Sequence, residues 1–138
     1  MKTKILSLFL IASCVFIMAS SCEVSTANLT DVKMCEIPEG DLCAEDQAEF
    51  ATDLEEIYVT AVLNNAPEGT QVTFYWRYLD EDPVVEIDSV TVDIEEVTSS
   101  IYSALTAPPA GWPTGRYEVE LKIHTDNAEP VKKQFEIK

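Results

Sequence analysis

From Val32 to Lys138 the apolar residues recur every second position, the period of strands with one face buried. Ile57, Val59, Ala61 and Leu63 alternate with Tyr58, Thr60, Val62 and Asn64. Val72, Phe74, Trp76 and Tyr78 do the same against Thr73, Tyr75 and Arg77. The clearest alternation sets Tyr117, Val119, Leu121 and Ile123 inward, with Glu118, Glu120, Lys122 and His124 toward water. A first strand is expected over 32–37, another over Ile101, Ser103 and Leu105, and a last one at Phe135 and Ile137. Between Val85 and Ile94 the parity changes: Val85 and Ile87 share one phase, Val90, Val92 and Ile94 the other. A slip of one residue exchanges the two faces of a strand, so a bulge or break is expected near Asp88-Ser89. Turn residues separate the runs at Ala66-Pro67-Glu68-Gly69, Asp80-Glu81-Asp82-Pro83 and the proline-rich 107–115. Thr52 and Glu55 have capping-box spacing, but the strand pattern at Ile57 leaves only one helical turn. About seven short strands with turns between them predict an all-β sandwich.

The first 22 residues break this pattern. Lys2 and Lys4 precede an apolar run over 5–19, then Ala19-Ser20-Ser21-Cys22, after which the chain turns polar. This is the anatomy of a secretory signal peptide. The cysteine directly after the small residues resembles a bacterial lipoprotein signal, which implies lipidation at Cys22 and a membrane anchor. Ile11-Ala12-Ser13-Cys14 is the rival acceptor. Processing there would leave a short apolar core and an apolar mature N-terminus, so Cys22 is favoured. The apolar run is shorter than the roughly 20 residues a spanning helix requires. The expected organisation is a signal over 1–21, a lipidated tether over 22–30 and a single domain over 31–138.

Charge narrows the partners. The chain carries 9 basic and 25 acidic residues, a net charge of −16. Removing 1–21 takes away Lys2 and Lys4 and no carboxylate. Such a surface repels nucleic acid and anionic headgroups, leaving the lipid as the membrane contact.

The strand run resembles the immunoglobulin-like sandwich of many bacterial surface lipoproteins, over about 54–138. Trp76 stands mid-strand where that fold places a core tryptophan. Tyr117, after Trp112-Pro113-Thr114-Gly115, is placed like a tyrosine corner. The inter-sheet cysteine pair of antibody domains has no counterpart here, which argues against that subtype. The resemblance implies architecture and not activity.

Few residues offer chemistry. Cys35 and Cys43 bracket a segment containing Pro38 and Gly40 and are expected to form a disulfide outside the cytosol. The alternative, a metal site, lacks ligands, because the single histidine, His124, lies on a distant strand. Three acidic clusters are weak calcium candidates: Asp41/Glu45/Asp46, Asp80/Glu81/Asp82 and Asp93/Glu95/Glu96, the second being the best. Trp112, in its proline-bracketed loop, either covers the core or serves as a recognition anchor for a protein or glycan. The sequence contains no G-x-S-x-G, H-E-x-x-H or Gly-rich phosphate loop. No cofactor or catalytic residue is assigned. The expectation is a non-catalytic, lipid-anchored surface or periplasmic binding module. The alternatives are a structural spacer or an accessory calcium- or carbohydrate-binding protein.

Overall fold

The computed structural model describes residues 26–138. Cys14, Cys22 and the signal expected over 1–21 lie outside them. The described chain is all-β, with eight strands in two sheets. They are β1 (Asn28–Cys35), β2 (Glu49–Phe50), β3 (Glu56–Asn64), β4 (Gln71–Tyr78), β5 (Val85–Asp93), β6 (Ser99–Thr106), β7 (Gly115–Ile123) and β8 (Val131–Ile137). One sheet has the order β1-β3-β6, the other β2-β8-β7-β4-β5. All pairings are antiparallel except β2 with β8. The fold is the predicted immunoglobulin-like sandwich, with the two-residue β2 added.

The core lies between the sheets and follows the predicted parity. Ile57, Val59, Ala61 and Leu63 of β3 face Val72, Phe74 and Trp76 of β4 and Val119 and Leu121 of β7, all fully buried. Trp76 lies at the centre, and its indole N–H donates to Ser103 Oγ of β6 at 3.0 Å, a hydrogen bond across the sandwich. The polar end of a buried indole is thereby satisfied.

Several expectations need correction. β1 begins at Asn28, four residues before the expected start, and ends at Cys35, two before the expected end. Leu29 pairs with Leu63 and Met34 with Val59, yet their positions differ in parity. A bulge between Thr30 and Lys33, with Asp31 at φ 53°, absorbs the extra residue. Glu118 was expected to face water but is buried, because the Arg77 guanidinium spans it and Glu120 at 3.3 and 3.1 Å. Gln134 Nε2 also donates to Glu118 at 3.4 Å. The slip in β5 is a bulge, one position earlier than expected: Trp76 pairs with Asp88 and Arg77 with Glu86, so Ile87 is the inserted residue.

The two flanks of the sandwich differ. On the β1/β8 flank, residues 46–50 cross from one sheet to the other. Gln47 N–H donates to Met34 O of β1 at 2.8 Å, and Glu136 N–H of β8 donates to Ala48 O at 2.9 Å. Asp46 accepts the Met34 amide at 2.9 Å and pairs with Lys133. That flank is closed. On the other, β5 and β6 end their sheets side by side, with no strand among the described residues bridging them.

Candidate functional site

Cys35 and Cys43 form the expected disulfide, with Cα atoms 5.8 Å apart. Within the loop Glu39 and Leu42 pair as a small bridge. Cys43 N–H donates to Thr60 Oγ1 at 2.9 Å, laying the loop over the outer face of β3 and burying Thr60. The metal alternative for these cysteines is thereby set aside.

The acidic turn is used structurally. Asp80 Oδ2 accepts the Arg116 backbone N–H at 2.7 Å, while Oδ1 takes the guanidinium at 2.7–2.8 Å. These hydrogen bonds, the backbone one first, hold the Asp80 carboxyl below its ordinary pKa. Asp80 is thus committed to Arg116 and not shared with Glu81 and Asp82. Gly115, at φ 142°, fits this corner because a Cβ would come within 2.6 Å of Asp80 Oδ2. Among the described residues no three His, Cys, Asp or Glu side chains converge as a metal site. His124 is exposed, as expected, and its Nε2 lies 2.6 Å from Thr73 Oγ1, which in turn meets Thr91 Oγ1 at 2.8 Å. This is a polar ladder on the outer face.

Trp112 is only 6 % exposed. Its indole N–H donates to Leu54 O at 2.6 Å, and its ring meets Tyr117 edge-on at 6.3 Å. The Tyr117 hydroxyl donates to Pro113 O at 2.6 Å, completing the tyrosine corner. Burial, with a smaller contribution from Tyr78, pushes the Tyr117 pKa up to about 12. Trp112 therefore closes the end of the core and is not an exposed anchor.

It does wall a groove. Together with Tyr78, Tyr117 and Pro108 it forms one side of an apolar hollow of about 300 Å³, and Val85 and Ile87 of β5 form the other. A second hollow, of about 330 Å³, continues along the same flank between Val92 and Ile94 on one side and Ile101 and Tyr102 on the other. Between them runs β5, whose Val85, Ile87 and Val90 are about 40 % exposed. Val85 and Val90 pair with Tyr78 and Phe74, so they point toward the interior side of the sheet and yet meet solvent. The alternation predicted a half-buried strand here, but β5 overhangs the narrower opposite sheet. The parity slip at Ile87 was the one signal in the sequence.

No family model matches the chain, and no curated protein matches it. Among solved structures, it is similar to part of a Parabacteroides merdae beta-glucuronidase (TM-score 0.47, 11 % identity), over 80 % of this chain and 13 % of that one. It is also similar to part of a Listeria innocua beta-glucosidase solved with isofagomine (TM-score 0.46, 12 % identity), over 81 % of this chain and 16 % of that one. The chain thus spans less than a fifth of either enzyme.

Proposed function

We propose that this chain is a non-catalytic, lipid-anchored module of a bacterial envelope that binds a protein partner through the open β5/β6 flank. The observation that carries this reading is that Val85 and Val90, on the interior side of the sheet with Asp88 between them, and the bulge residue Ile87 stay about 40 % exposed, with no strand among the described residues over them. Exposed apolar surface that continues into a groove is characteristic of contact surfaces. The reactive side chains tell the same way: Asp80 is engaged by Arg116, the two described cysteines by each other, and Glu118 by Arg77. The Cys22 signal supplies the anchor and the acidic surface keeps the domain off anionic headgroups.

A photo-crosslinking residue at Val85 of the full-length chain, expressed in its own cells, is expected to give a discrete adduct with a protein. The same residue at Lys122, on the outer face of β7, is expected to give none. Absence of an adduct at both positions would favour a spacer. Cys22→Ser is expected to abolish labelling by radioactive fatty acid. Labelling that survives it and disappears with Cys14→Ser would move the anchor to Cys14.

A further inference from the structure

Resting on that reading, we infer that the flank accepts an extended basic segment of the partner, added as a further strand to the free edge of β5. Three observations converge.

The first is backbone geometry. Ile94 N–H donates to Thr70 O at 2.8 Å. Antiparallel alternation then turns the Val92 and Val90 backbone toward β4, and the Asp93, Thr91 and Ser89 backbone toward the open edge. Asp88 Oδ1 accepts the Ser89 N–H at 2.8 Å, so pairing begins at Thr91 and Asp93. An edge of this kind is a template for strand addition.

The second is side-chain division. A strand beside β5 would point alternate residues inward, into the hollows between Val85, Ile87 and Val92 on one sheet and Thr106, Ile101 and Tyr102 on the other. Those entering the hollow beside Val85 and Ile87 should be apolar, while the second hollow is also lined by Asp93, Glu95, Glu96, Ser99 and Ser100. The others would lie on the outer face, beside Glu86 and Asp93, which pair with Arg77 and Gln71 there.

The third is charge. β5 reads VEIDSVTVD, with three carboxylates and no cation. Glu81 and Asp82 precede it and Glu95 and Glu96 follow. A second copy would set carboxylates against carboxylates across the new pairing, which is destabilising. A partner strand alternating apolar residues with Lys or Arg satisfies both faces. The carboxylates then act as a selectivity device: they disfavour self-pairing and favour a basic guest.

The test uses a capped nonapeptide alternating Val and Lys, titrated onto the full chain in detergent and followed by amide NMR shifts. Saturable binding with shifts concentrated on β5 is expected, weakening at least about tenfold when salt is raised from 50 to 500 mM. A Lys-Gly peptide of equal charge and a Val-Glu peptide should each bind at least about tenfold more weakly. Backbone N-methylation provides a control that leaves the protein unchanged. Successive amides of a strand point to opposite edges, so methylating all Lys amides or all Val amides should destroy binding in one case and spare it in the other. Equal binding of the Val-Lys and Lys-Gly peptides would reduce the effect to diffuse attraction and overturn the inference. So would indifference to both methylation patterns, or concentration-dependent dimerisation that competes with the peptide. If the peptide fails while the Val85 adduct persists, strand addition is wrong and the binding module stands. If both fail, both readings fall.

Discussion

Trp112 sits between Pro109 and Pro113, and its indole N–H is fixed by Leu54 O, so the ring has little freedom to meet a partner. Its work is on the core: it covers Tyr117, which stacks on Phe135 at 5.3 Å, which in turn meets Trp76 edge-on. Trp112→Ala is expected to cost roughly 3–5 kcal/mol in urea unfolding, as for a large core side chain. A cost below about 1 kcal/mol would return the residue to the surface. Tyr117 adds a pH dependence. Its pKa is raised in the folded state, so its neutral form is favoured there. The stability it contributes is complete below its ordinary pKa near 10 and is lost as the pH rises toward about 12. Tyr117→Phe is expected to lessen the loss of stability between pH 10 and 12, seen in urea midpoints across that range. It should also remove a tyrosine ionising near pH 12 from an ultraviolet titration.

Among the elements, the disulfide is local. It closes a span of eight residues in a loop hydrogen-bonded to β3, while the β4–β7–β8 core lies elsewhere. Replacing both cysteines by alanine is expected to cost about 2–3 kcal/mol and to leave the β circular-dichroism spectrum intact. Loss of the folded spectrum would show that the loop organises the whole sheet. The central strands were legible in the sequence because the opposite sheet covers one face of each along its length, so alternation survives. The start of β1 was hidden by its bulge, which puts Leu29 and Met34 out of phase. The pair Glu49–Phe50 is too short to carry a period at all. Of the proposed contact surface only the slip at Ile87 could be read. Whether Val85 or Val90 is covered depends on the width of the opposite sheet, and nothing in β5 records that number.

For the molecule as a whole, two carboxylates hold distant parts of the chain together. Burial works against Asp46, but the hydrogen bond from Lys133, with the Met34 amide, lowers its pKa. Asp80 is lowered by the Arg116 bonds. Because both folded pKa values lie below the ordinary carboxylate value of 3.8, their stabilisation is present above that value and disappears as the pH falls through the lower, folded values. The double variant Asp46→Asn, Asp80→Asn is expected to be less stable than the parent at pH 7, with the gap narrowing below pH 4. A gap of constant size in urea midpoints from pH 7 to pH 2 would rule this linkage out.

If Cys22 carries the proposed lipid, the early start of β1 sets a height and an orientation. With the lipid on Cys22, five residue steps separate the anchor from buried Ala27, at most about 17 Å when fully extended. β1 begins beside Asn64, the far end of β3, whereas Trp112 bonds to Leu54, just before the start of β3. On the proposed anchor, the groove walled by Trp112 would open at the end of the sandwich away from the bilayer, roughly the length of a nine-residue strand higher, about 30 Å. A short leash would hold the domain upright, with its acceptor edge running from near the headgroups to the top. A partner approaching from outside the membrane plane would meet the aromatic end first and lie down along β5 toward the lipid.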